Sequence, residues 1–163
     1  MESDLKFMKK SKYIKIISII LTIGFTLYIY HNSMYDIKQS DIQSGVVLRY
    51  LDKIFARMGY DVTFTQYVVR KLAHFTEYFI LGMIVTITLR VFSKNLNKYL
   101  FFELFLFFAV PVLDESIQMF YKGRSSSVLD VLIDFAGCIV GLGLSRLLVH
   151  LYDSAETHEK MKS

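Results

Sequence analysis

The sequence predicts an all-α integral membrane protein with four transmembrane helices and an amphipathic extracytoplasmic helix between the first and second. Three observations predict it. Apolar residues make up 53% of the chain and fall in long blocks, unlike the short periodic stripes of a water-soluble core. Mean hydropathy is +0.39, high for a soluble protein. The basic residues, in excess by a net charge of +4, sit at the ends of the apolar blocks. That placement orients a protein in a membrane and does not make a nucleic-acid footprint.

The 163 residues suffice for one membrane domain, 1–163, with no room for a second. The first apolar block, residues 13–30, carries Lys15 as its one charge. As a helix it would extend roughly 27 Å, close to a hydrocarbon core of about 30 Å. Lys6, Lys9, Lys10 and Lys12 precede it, and no small-x-small cleavage site follows before His31. The block therefore reads as an uncleaved signal anchor. Lysines crowd its N-terminal side, whereas Lys38 alone lies within about 15 residues of its other end. The expected location is the cell membrane, multi-pass, with both termini cytoplasmic.

The second span is expected at about 68–92, interrupted by Lys71, His74 and Glu77, with capping-box spacing from Thr63 to Gln66 just before it. The third is expected at about 99–121. Its strongly apolar part stops near Leu113, before Asp114, Glu115 and Gln118, and Pro111 should kink it. The fourth, about 128–149, carries Asp130 and Asp134, and its Gly137 and Gly141 form a GxxxG that marks close helix packing. Between the first two spans, Ile42, Val46, Tyr50, Ile54 and Met58 recur at helical spacing, with Arg49, Lys53 and Arg57 among them. Asp41 can cap the start of this amphipathic helix and Gly59 can end it. It would lie in the outer interface or pack over the mouth of the bundle.

With alternating span directions, His74, Glu77, Asp114, Glu115, Gln118, Asp130 and Asp134 all fall in the outer half of the bilayer, with Arg70, Lys71 and Arg124 around the opening. An ionised side chain at the bilayer centre costs about 2.5–3.5 kcal/mol, so such groups turn toward the bundle interior or a wet cavity. Glu77, Asp114, Glu115, Asp130 and Asp134 outnumber the three cations, so some must be protonated, hydrogen-bonded or neutralised by a bound cation. Stapling of helices would account for any one of them. Their shared level favours a ligand pocket. No P-loop, dinucleotide fingerprint, GxSxG or HExxH is present. His74, Glu77, Asp114 and Asp130 offer donor atoms for a divalent metal but match no standard spacing, so neither metal nor cofactor is expected. The Phe101–Phe108 run faces lipid or core.

Arg70-Lys71-Leu72-Ala73-His74-Phe75-Thr76-Glu77-Tyr78-Phe79-Ile80-Leu81-Gly82, Asp114-Glu115-Ser116-Ile117-Gln118, and then Arg124, Asp130, Asp134, Gly137 and Gly141 form three ordered blocks within residues 65–145. In these blocks the chain resembles the VanZ-like family, named after a teicoplanin-resistance protein. The family often has Asn where this chain has Asp134. The resemblance implies a polytopic membrane protein linked to reduced susceptibility to teicoplanin-type lipoglycopeptides, and it brings no catalytic mechanism. The expected partners are the lipid bilayer and a lipid headgroup, a lipid-linked cell-wall precursor or the lipoglycopeptide itself; nucleic acid is not expected. The rival reading is an intramembrane enzyme on a lipid-linked substrate, with His74 as base, Glu77 or Asp130 orienting it, and Asp114 or Glu115 as acid.

Overall fold

The computed structural model describes residues 2–60, 64–124 and 126–162. Among them the chain forms five α-helices: α1 (Glu2–Ser33), α2 (Ile37–Arg57), α3 (Gln66–Phe92), α4 (Leu100–Gln118) and α5 (Val128–Lys162). A single 3-10 turn, Leu96–Tyr99, leads into α4. By length and composition, three stretches can cross a membrane: Lys12–Ser33, Gln66–Phe92 and Val128–Met161. α4 is apolar over most of its 19 residues and runs unbroken through Pro111, but carries Glu103, Asp114 and Glu115. Outward-facing apolar side chains such as Ile17, Ile20, Phe101 and Phe105 are more than half exposed, as expected of a surface that meets lipid and not water.

α3 and α5 form the closest pair, and glycine is the reason. A Cβ on Gly137 would lie 2.5 Å from the Phe75 carbonyl oxygen, and one on Gly141 would lie 2.2 Å from that of Phe79. On the facing helix, a Cβ on Gly82 would lie 2.4 Å from the Cys138 carbonyl oxygen. The two backbones touch where side chains would otherwise hold them apart. Around this seam, Ile29, Tyr78, Leu81, Val85, Phe107, Cys138 and Leu142 make the buried core. α1 packs on α3, where the Thr22 and Thr88 hydroxyls share a hydrogen bond of 3.0 Å.

Several boundaries differ from the sequence expectation. α1 begins well before residue 13, because the lysine-rich lead-in contains neither Gly nor Pro to stop a helix. α5 continues past 149 to Lys162 for the same reason, and Arg90 ties the extension to α3 by two hydrogen bonds to Asp153, of 2.6 and 2.8 Å. α4 ends at Gln118, short of 121, and Gly123 (φ 77°) turns the chain toward α5. α2 begins at Ile37, with Asp36 at its N-cap position, so Asp41 lies inside the helix and binds Arg70 instead of capping. Gly59 follows the end of α2 with φ 81°, a conformation that favours glycine. Thr63 lies outside the described residues. The hydroxyl of Thr65 caps α3, accepting the Val68 N–H at 3.3 Å.

A polar cavity at one end of the bundle

The end of α1, the starts of α2, α3 and α5, and the end of α4 meet at one end of the molecule. Two open cavities lie there. One, about 110 Å³, is lined by Lys71, His74, Gln118, Arg124 and Asp130 among others. The second, about 270 Å³, is lined by residues including Asn32, Ser44, Arg70, Ala73, His74 and Glu77. Arg70, His74 and Arg124 border both, so the two spaces form the arms of one site.

Helical spacing explains the arrangement on α3. Arg70 and Lys71 lie four and three residues before His74, and Glu77 three after it, so all four fall toward one side of the helix. Each meets a different neighbour. Arg70 binds Asp41 of α2 at 2.7 Å. Lys71 forms an ion pair with Asp130 of α5. Glu77 accepts a 2.7 Å hydrogen bond from the Asn32 amide of α1. His74 turns its Nδ1 toward Asp134, 4.0 Å away.

Arg124 stands apart. It donates to Oε1 of the Gln118 side chain at 2.7 Å, and among the described residues no carboxylate lies within ion-pair distance of it. Burial, followed by the nearby Arg70 charge, pulls its guanidinium below its ordinary pKa. Two guanidinium groups therefore border one space; among the described residues only Arg70 has a carboxylate within ion-pair distance, while Glu115, Asp114 and Asp130 act on Arg124 from farther away.

Behind the cavity lies a drier layer. Asp114 and Asp134 are fully buried, and Glu115 and Gln118 nearly so. The Gln118 amide donates to Asp114 Oδ2 at 3.2 Å and to the Ser33 hydroxyl at 3.3 Å. Glu115 turns the other way and accepts the Ser127 N–H at 3.0 Å, which fixes the entry to α5. Of the residues expected to share one pocket, Arg70, Lys71, His74, Glu77, Gln118, Arg124 and Asp130 line it. Asp114 and Asp134 lie behind His74, and Glu115 serves the loop.

Sequence reading missed a second buried charge pair, toward the other end. Glu103 is fully buried, receives the Arg146 guanidinium at 2.7 Å and accepts the Thr86 hydroxyl at 2.9 Å. Its signal was visible: an acidic residue inside a phenylalanine-rich run needs a partner.

An all-helical bundle with apolar outer faces and ionisable groups turned inward defines a membrane protein. The VanZ/LLP1 family model matches residues 15–149. The chain belongs to that family, and the match extends beyond the 65–145 of the resemblance to take in most of α1 and all of α2. No curated protein and no solved structure matches it.

Proposed function

We propose that this protein is a four-span membrane protein, with α4 as the third span and α2 lying in the outer interface, and that its cavity binds the anionic headgroup of an outer-leaflet lipid or lipid-linked cell-wall precursor. Arg124 carries this reading. A guanidinium held by a single neutral amide, beside a second guanidinium and open to a cavity, keeps donors free for a phosphate. Charge-assisted pairs of that kind are short and directional. α2 supports the same reading, since Ile42, Tyr50, Ile54 and Met58 are all more than half exposed and would rest among lipid headgroups and upper acyl chains. Reduced susceptibility to lipoglycopeptides, implied by the family, would then arise from holding the drug or the precursor it targets.

Native mass spectrometry in detergent tests the reading, with phosphatidylglycerol and undecaprenyl phosphate as anionic probes and phosphatidylcholine as the neutral one. The wild type is expected to retain the anionic probes, and Arg124→Ala to lose them by about tenfold or more, a change of about 1.4 kcal/mol. Equal retention of the three lipids by both proteins would refute it.

A further inference from the structure

Beneath the cavity, one donor from each of three helices converges: His74 of α3, Asp114 of α4 and Asp134 of α5. One ligand atom from each lies within 4.8 Å of the others. Asp134 is fully buried, yet neither of its oxygens has a hydrogen-bond partner. The same holds for Asp114 Oδ1 and for His74 Nδ1. Buried polar atoms are normally paired, so unpartnered atoms on three residues whose ligand atoms converge need a common explanation.

Neighbouring groups do not supply it. Lys71 is engaged by Asp130, and Arg124 by the Gln118 carbonyl. Gln118 uses its amide to fix Asp114 through Oδ2, which leaves Oδ1 directed elsewhere. The Tyr78 and Ser33 hydroxyls lie near Asp114 and can turn toward it, whereas neither oxygen of Asp134 has such a partner among the described residues. Two carboxylates and one imidazole thus converge beneath the cavity, and among the described residues neither Asp134 oxygen has a hydrogen-bond partner.

We infer that His74, Asp114 and Asp134 bind a divalent first-row transition ion, with Zn²⁺ as the first candidate. Two carboxylates balance its charge and admit Mn²⁺, while the imidazole nitrogen favours Zn²⁺ over the oxygen-preferring Mg²⁺ and Ca²⁺. Zinc bonds to nitrogen and oxygen run about 2.0–2.2 Å, so tetrahedral donors sit about 3.4 Å apart. The three donors, within 4.8 Å of one another, would close by up to about 1.4 Å to reach that spacing. His74 also borders both cavities, which gives the ion a way in and leaves its remaining position to water. Because the donors come from three helices, no local motif in the sequence announces the site. The inference rests on these atoms and not on what occupies the cavity above them.

The test uses the full chain in detergent without a polyhistidine tag, stripped with EDTA and titrated with Zn²⁺ or Mn²⁺ in the absence of added lipid. Bound metal is counted by mass spectrometry, and helix melting is followed by circular dichroism. One ion per chain and a raised melting temperature are expected. Asp134→Asn and His74→Ala should each weaken binding by more than the about 10- to 100-fold that losing an outer partner costs a metal site. Without metal, Asp134→Asn should melt no lower than wild type, since it removes one of two facing carboxylates. Wild type that takes up neither ion stoichiometrically, or variants that bind as wild type does, would overturn the inference. Either result leaves the lipid measurement untouched.

Discussion

Glu103 and Arg146 show what a buried charge does when it staples helices, and so what Arg124 does not do. Glu103 sits in an apolar run on α4 with both oxygens satisfied, one by Arg146 and one by Thr86. Arg146 reaches it from α5 and also donates to the Asn97 side chain at 2.9 Å and the Leu96 carbonyl at 3.2 Å, so one guanidinium fastens the α3–α4 connection to α5. Removing one member of a buried pair strands the other, at about 3–5 kcal/mol. Arg146→Ala should therefore lower membrane abundance several-fold, and Arg146→Ala with Glu103→Gln should recover part of it, as read by immunoblot of isolated membranes. Failure of the double variant to recover would show that Arg146 acts through Leu96 and Asn97 instead. Arg124, whose described partner is a neutral amide, should be removable without that loss.

At the scale of elements, the α3–α5 seam is set by backbone approach. Gly141→Ala places a methyl 2.2 Å from the Phe79 carbonyl oxygen and 3.0 Å from the Met83 nitrogen, and neither backbone can move alone. Overpacking of this kind costs about 1–3 kcal/mol. A lower melting temperature in detergent is expected for Gly141→Ala. Gly143→Ala meets nothing within 4 Å and should melt as wild type does. Equal melting of the two variants would remove the seam as the organising contact. The GxxxG was readable from sequence because a four-residue period of glycines says that a helix face is bare. The facing contribution of Gly82 was not, because nothing in the local sequence says which helix crosses there. The same limit separates what was legible at the site. Residues that share a face on α3 could be read from their spacing, while Asp41 with Arg70, and Asp114 with Asp134, depend on how separate helices come to lie beside each other. Helix ends were misread where composition changes but helix propensity does not, as beyond residue 149.

For the whole molecule, the direction of insertion decides which leaflet the cavity serves. α1 ends beside the cavity, since its Asn32 holds Glu77, so the lysine-rich beginning of α1 belongs to the opposite end of the bundle. The excess of Lys and Arg near the first span is the basis for proposing that this beginning lies in the cytoplasm. Under that proposal α3 and α5 would run inward and α4 outward, and the extension of α5, tied to Arg90 through Asp153, would return the C-terminus to the cytoplasm. α2 would then sit on the outer side, where its exposed Arg49, Lys53 and Arg57 would meet water and headgroups. The expected outcome is that a single cysteine at Gln39 reacts with an impermeant maleimide in intact cells, whereas one at Ser154 reacts only after the membrane is opened, both in a Cys138→Ala background. Both positions are exposed in the folded chain, so protection reports the membrane and not burial. Labelling of position 154 in intact cells, with position 39 protected, would invert the molecule. Arg70, His74 and Arg124 would then face the cytoplasm, and an outer-leaflet headgroup could not reach them.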